Sequence, residues 1–367
     1  MIADQVQNQG VFSVETLLTL AGRFATIHRT PSTTPGERPR RSAVPVTIRD
    51  VAAEAEVSIS TVSRAFTAPD QVSPKTLQRI QEAATRLGYA PNPAARSLRG
   101  GRTGTLGLII PDIANPFFPP IFKAMQTRAR RQGYTLLVAD SDEREVDEVE
   151  TISAVVKKVD GLLLWASTLA DERLAELAGE VPLVLGNRHV DGIPEVHVSL
   201  SAGLTQAAEH LRAYGHTRCV FVDGSRPELA RGKSVRESFA SHGLALTELG
   251  PYEPRFETGV HAATLIAADK ATAVVAHNDL VALGVMHQLA RLGVDVPGDV
   301  SVIGIDDTLL ASTATPSLTT IRISAEEIAT SACDLLVDTV ADPDRPARKV
   351  EIGSRLIPRA STGPTKA

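Results

Sequence analysis

The stretch Val46-VTIRDVAAEAEVSISTVSRAF-Phe66, with Ser73-SPKTLQRIQEAATRLG-Gly88 after it, decides how the N-terminal part of this 367-residue chain folds. Ile48, Val51, Ala52 and Ala55 fall on one face of a helix. Ser58 is placed to cap a second helix that carries Val62, Ala65 and Phe66. Only a tight turn, containing Glu56, separates the two. The other face of the second helix holds Ile59, Ser60, Thr61, Ser63 and Arg64, small or polar side chains that can reach base edges and phosphates. A third helix is predicted with Ser73 as N-cap, Pro74 as first residue, a stripe of Leu77, Ile80, Ala84 and Leu87, and Gly88 as stop. On periodicity alone the pattern suits an ordinary three-helix bundle as well as a helix-turn-helix.

The next segment separates these. Asn92-Pro93-Ala94-Ala95-Arg96-Ser97-Leu98-Arg99-Gly100 has a cap, a proline at the first helical position and a glycine stop. It is shorter than the roughly 12 to 15 residues at which a helix becomes marginal in water, so it is expected to order only against a partner. With these pieces in place, VTIRDVAAEAEVSISTVSRAF, VSPKTLQRIQEAATRLGYAPNPAARSLRGGRTGTLGLIIPDIANPFF and GIDD resemble the lactose/galactose repressor family of bacterial transcription regulators. The resemblance runs from about Val46 to Thr362.

That resemblance implies a ligand-responsive regulator, most simply a repressor, that binds a palindromic operator duplex as a homodimer. A small effector would control it: a sugar or sugar derivative, with a nucleoside or purine as the alternative. It implies DNA contacts at Thr47, Ser58, Ile59, Ser60, Thr61, Ser63 and Arg64, with Ile59 and Ser60 at the positions that choose the operator. It also implies a hinge helix and linker over 92–103. There Asn92 would also contact DNA, and Ala95 and Arg96 would flank Leu98, a wedge between central base pairs. Glu56 departs from the family, which commonly has glycine in that turn.

Charge agrees with this division. Val46 to Arg102 carries eight Lys and Arg against five Asp and Glu, whereas Thr103 to Ala367 carries 25 against 35. The positive surplus lies where DNA would be. Met1 to Pro45 lies outside the resemblance. Its proline-, serine- and arginine-rich later part reads as a disordered extension, either dispensable or a basic arm. Cys219 and Cys333 stand alone in apolar surroundings, without metal or disulfide spacing. No run of about 18 uncharged apolar residues is present. Glu15 and Asp4 spoil the nearest candidate signal peptide, Val11 to Ile27, so a cytoplasmic location is expected and an exported solute-binding protein is not.

From Leu106 onward short apolar strands (LGLII, YTLLVAD, GLLLW, CVFVD, AVVAH, SVIGI) alternate with amphipathic helices, which predicts parallel sheets covered on both faces. The family adds that residues 104–362 form two doubly wound α/β subdomains like periplasmic sugar-binding proteins. Crossovers would lie near Val198, Thr320 and Val340, an effector would sit between the subdomains, and 363–367 would be a short polar tail. In such sheets ligands bind at the carboxyl ends of the strands. Phe117 and Phe118 follow the first strand and could flank a ring, and Arg231, Asn278 and Asp306 match the family's polar contacts. The pattern around Arg231 departs from the family at Ser234 and Val235, where glycine and an aromatic are usual. The bland alternative for Arg231 and Asp306 is a structural salt bridge across the cleft.

Catalytic motifs fail in turn. Gly232-Lys233-Ser234 has Pro227 where a P-loop needs glycine, and Gly101, Gly104 and Gly107 precede a strand with the wrong spacing for a dinucleotide fingerprint. His210, His216 and His277 have no metal spacing, no GxSxG elbow is present, and neighbouring Asp306 and Asp307 should point apart. Neither an enzyme, a metal nor a cofactor is expected.

Overall fold

The computed structural model describes residues 46–67, 69–89, 102–142, 144–224, 231–269 and 271–366. The N-terminal extension and most of the expected hinge segment, with Asn92, Ala95, Arg96 and Leu98, lie outside the described residues. The chain divides into two compact units between Pro91 and Asn92.

The first unit is all helical: α1 (Ile48–Glu54), α2 (Ile59–Thr67), a single turn at Pro69–Gln71, and α3 (Pro74–Leu87). Its core is Val51, Ala52 and Ala55 from α1, Val62 and Ala65 from α2, and Ile80, Ala83 and Ala84 from α3. Ile48, Phe66, Leu77 and Leu87 close it from the sides. Each helix start is satisfied locally. The Asp50 carboxylate accepts from both the N–H and the hydroxyl of Thr47 at 2.7 Å, which holds its pKa below the usual carboxylate value. Ser58 Oγ accepts from Thr61 N–H at 3.1 Å, and Ser73 Oγ from Thr76 N–H at 3.3 Å. Gly88 ends α3 in left-handed backbone. Glu56, between α1 and α2, also takes a positive φ, 48°.

The second unit holds two six-stranded sheets. In the first, β1 (Thr105–Ile110), β2 (Thr135–Asp140), β3 (Gly161–Trp165), β4 (Leu183–Gly186), β5 (Glu195–Val198) and β11 (Lys349–Ile352) run parallel in the order β11-β5-β4-β3-β1-β2. In the second, β6 (Arg218–Gly224), β7 (Ala245–Tyr252), β8 (Ala273–Ala276), β9 (Ser301–Asp306), β10 (Thr319–Ile323) and β12 (Ser354–Ile357) lie in the order β12-β10-β9-β8-β6-β7, only β12 running antiparallel. The connecting helices are α4 (Phe118–Arg131), α5 (Glu145–Val155), α6 (Asp171–Glu180), α7 (Ser201–Ala213), α8 (Arg231–Ser241), α9 (Phe256–Asp269), α10 (Asp279–Arg291), α11 (Leu309–Thr313) and α12 (Ala325–Ala341). They cover both faces, which is why strands such as GLLLW and AVVA are apolar at every position and buried throughout.

The chain changes sheets three times. It leaves β5 for α7 and β6, leaves β10 for α12, which packs on α4, β3 and β4, and passes from β11 to β12 at Gly353. Val340, where the last crossing was expected, is instead a buried residue of α12. The strands that do cross are four residues each and half polar, KVEI and SRLI, so their periodicity is too weak to locate them. The expected polar tail is stitched down. Gly363 N–H donates to Ser301 Oγ at 3.1 Å and its carbonyl accepts from the buried His216 ring, while Thr365 N–H donates to Tyr214 O at 2.9 Å.

Candidate functional site

Two sites emerge, one on each unit. On the first, Thr47, Ser58, Ile59, Ser60 and Arg64 are exposed, and Thr61 and Ser63 are half-buried. The hydroxyls at the start of α2 form a chain, Ser58 to Ser60 at 2.7 Å and Ser58 to Thr61 at 2.8 Å. Arg64 stands further along α2, and α2 carries no acidic residue. A helix N-terminus lined by hydroxyls, with a guanidinium nearby and no opposing carboxylate on that helix, has the polarity of a phosphate and base-edge contact.

On the second unit, a cavity of about 200 Å³ opens at the carboxyl ends of both sheets. One wall comes from the first subdomain: Phe117, Phe118, Trp165, Asn187 and His197. The opposite wall includes Arg231, Ser234, Pro254, His277, Asn278 and Asp306, and the first crossing, Ser199–Ser201, adds to the lining. Phe117 and Phe118 meet edge to face, ring centroids 5.2 Å apart, and both also belong to the hydrophobic core. Trp165 ends β3 beside Gly186 of β4, where any side chain would collide with the indole.

The polar wall is tightly wired. Arg231 donates through Nη1 to the His277 carbonyl at 2.6 Å, and its Nη2 lies 3.5 Å from Asp306 Oδ1. Both residues belong to the second subdomain, so the ion pair does not span the cleft as the bland alternative had it. Burial, reinforced by the charge of Asp279, pushes the Asp306 carboxyl above its ordinary pKa, with Arg231 opposing. Asp306 and Asp307 take positive φ, 119° and 56°. Such backbone costs on the order of 1–3 kcal/mol per residue and persists only where surroundings enforce it. Asn278 caps α10: its Oδ1 accepts from Val281 N–H at 2.9 Å and its Nδ2 donates to Pro254 O at 3.0 Å, which leaves one amide hydrogen for a ligand. His277 accepts at Nδ1 from Gly224 N–H, and burial pushes its pKa down to about 4, so the ring is neutral. His197 is likewise held below its usual value, first by burial and then by the charge of Lys349.

The cavity therefore brings together all five residues expected to contact an effector. Of the departures near Arg231, Ser234 lines the cavity and Val235 is fully buried core. Trp165, Asn187, His197 and His277 were not anticipated. Their signal was available, since each lies in or next to a strand toward its carboxyl end, where α/β ligand sites form.

Comparison with known proteins gives a match in each unit. Residues 47–92 match the family described as bacterial regulatory proteins, lacI family, and residues 208–362 match a periplasmic binding protein-like domain. Catabolite control protein A of Priestia megaterium is 30% identical over 331 residues, covering 86% of this chain and 99% of that protein. The chain belongs to the LacI family. The HTH-type transcriptional repressor CytR of Escherichia coli K12 is 32% identical, over 87% of this chain and 95% of that one. Among solved structures, the Lac repressor dimer bound to operator and an anti-inducer shares the fold, with a TM-score of 0.75 at 24% identity over 87% of this chain and 100% of that one. A CelR–cellobiose complex matches with a TM-score of 0.63 at 28% identity over 86% and 99%. As a LacI-family protein the chain is a DNA-binding transcription regulator, and among its described residues no helix is long and apolar enough to cross a membrane.

Proposed function

We propose that this LacI-family chain is a cytoplasmic repressor that binds a two-fold operator as a homodimer and answers to an uncharged, single-ring effector, a sugar or sugar derivative. The observation that carries the effector class is the cavity's asymmetry, an aromatic wall facing the Arg231–Asp306 pair. A sugar has an apolar ring face for the first and vicinal hydroxyls for the second. The volume, about 200 Å³, is small beside the roughly 300–1,000 Å³ of pockets for drug-sized ligands. Charge supports the same class: among the described lining residues the single Lys or Arg side chain already faces a carboxylate, and burial disfavours the charged form of both histidines. A phosphorylated ligand would find no spare cation among the described lining residues. Trp165 and the two phenylalanines also suit a nucleobase, so a nucleoside is the second reading.

On DNA, Arg64 would make a bidentate contact to guanine, Ile59 and Ser60 would select the operator, and Thr47, Ser58, Thr61 and Ser63 would hold phosphates. Leu98, flanked by Ala95 and Arg96, would enter the minor groove as a wedge from each protomer, with Asn92 a further DNA contact. The groove along α10 and α11, lined by Leu280, Leu283, Met286 and Leu310 with Leu309 exposed beside it, offers an apolar face for a second copy. A calorimetric screen of monosaccharides, disaccharides and nucleosides tests the effector class. Heat with monosaccharides alone is expected, and heat with nucleosides alone would replace the sugar by the second reading.

A further inference from the structure

Asp307 has no place in the cavity, yet it is among the most firmly held acidic side chains of the second unit. Its side chain is only 6% exposed, and its two carboxylate oxygens are taken separately by Arg322 and Arg359. Its own N–H donates to Thr320 Oγ1 at 3.3 Å, and that hydroxyl donates onward to Asp279 at 2.6 Å. Thr308 N–H, one residue on, donates to the other Asp279 oxygen at 2.7 Å. The segment leaving β9 is thus fixed residue by residue, and its first members are the two aspartates with positive φ.

Arg322 lies where the chain changes subdomain, and Arg359 lies past the far end of the strand entered from the last crossing. Arg322 is the register partner of Asp306 and the penultimate residue of β10, just before the crossing into α12. Arg359 follows β12, the strand entered from the Gly353 crossing. It is fastened to the start of β10, through its N–H to Thr319 Oγ1 at 2.9 Å and through Nη1 to Leu318 O at 2.8 Å. One buried carboxylate therefore joins the β9 end to both strands of the second sheet that border crossings.

We propose that Asp307 is a positioning residue of the effector site: clamped by Arg322 and Arg359, it turns the Asp306 carboxylate toward Arg231 and ties the setting of that loop to the crossings between subdomains. The effector half of this rests on the function proposed above; the mechanical half does not. An unclamped Asp307 would leave two left-handed aspartates with less to enforce their backbone, and the loop would relax together with the neighbouring ends of β10 and β12.

The test is amide hydrogen exchange on the full chain with Arg322→Gln, which is partly exposed and leaves Arg359 in place, and separately with Arg359→Gln. Amides at 307–309, 323–325 and 352–354 should exchange about tenfold faster together, as for a shared local opening, and Arg322→Lys should restore protection. Arg128→Gln is the control, because Arg128 makes a comparable two-pronged pair with Asp334 between α4 and α12; it should leave those three segments unchanged. Unaltered exchange, acceleration of 307–309 alone, or the same pattern from Arg128→Gln would overturn the proposal. D-ribose, D-glucose and adenosine are then titrated into wild type and Arg322→Gln. Any that binds wild type should bind the variant at least about tenfold more weakly, and equal affinity would remove the positioning role. Failure of all three to bind wild type would count against the effector class, while the exchange result would still decide the clamp.

Discussion

Asp306 and Asp307 are adjacent in the chain, yet their carboxylates serve different partners: Asp306 faces Arg231 across 3.5 Å inside the cavity, and Asp307 is held between Arg322 and Arg359 outside it. In the proposed account the pair serves as a reader and its anchor. Consecutive side chains at a strand end already point to opposite faces, and both residues also take positive φ.

Replacing Asp306 by Ala removes the carboxylate opposite Arg231 and should weaken effector binding by tenfold or more, about 1.4 kcal/mol or above. Calorimetry with the effector found in the screen measures this. Wild-type affinity in Asp306→Ala would reassign the residue to structure.

Acidification should weaken effector binding earlier than an ordinary carboxylate would. Burial raises the Asp306 pKa, so the charged form that accepts ligand hydroxyls is lost from nearer neutrality. Affinity measured from pH 8 to 5 should fall within that range, and a flat profile would speak against Asp306 as acceptor.

Stability has its own pH dependence. His277 is held near pKa 4 in the fold by burial, against about 6.5 unfolded. Between those values the unfolded chain binds a proton that the native chain refuses, so the contribution is complete above about 6.5 and is lost as pH falls toward 4. Asp279 and Asp306, raised by burial, act in the opposite sense, because there the native state binds the extra proton. Melting curves of His277→Asn should show a shallower loss on acidification than wild type. A parallel loss would place the acid sensitivity elsewhere.

Gly259 and Gly284 let α9 and α10 touch backbone to backbone. A Cβ on Gly259 would lie 2.0 Å from Val281 O, and one on Gly284 2.0 Å from Phe256 O. Neither obstacle can rotate away, so Gly284→Ala should cost about 3 kcal/mol or more in chemical denaturation, at or beyond the upper end of overpacking effects. A loss below about 1 kcal/mol would mean the helices separate freely.

Glu56→Gly should stabilise the first unit. Left-handed backbone costs a non-glycine residue about 1–2 kcal/mol, partly offset by the extra freedom glycine has when unfolded, about 0.4–1 kcal/mol. The Glu56 side chain is exposed and contributes no core contact. A gain of up to about 1 kcal/mol is expected, and a loss would show that Glu56 makes a compensating interaction.

What the sequence made legible follows the range of the interactions involved. Ser73, Pro74 and Gly88 bound α3 by contacts within a few residues, and they could be read directly. Arg231, Asn278 and Asp306 were reachable through family resemblance, but the cap that Asn278 provides and its bond to Pro254 were not. Trp165, Asn187 and His197 could be placed at the carboxyl ends of strands, but their meeting in one cavity could not be read, because it arises only once two sheets face each other across the first crossing. Asp307 was hidden for the same reason: Arg322 and Arg359 are 15 and 52 residues away.

The most direct measurement is fluorescence anisotropy of a labelled palindromic duplex, selected by the full chain from a random pool, with wild type and Arg64→Ala. Wild type should bind with an affinity that falls steeply and linearly in log–log salt dependence, and a monosaccharide should shift that affinity. Arg64→Ala should lose about 1–3 kcal/mol and relax the preference at one base position. Unchanged rank and strength in Arg64→Ala, or wild-type binding that no sugar or nucleoside moves, would contradict an effector-controlled repressor that reads its operator through α2.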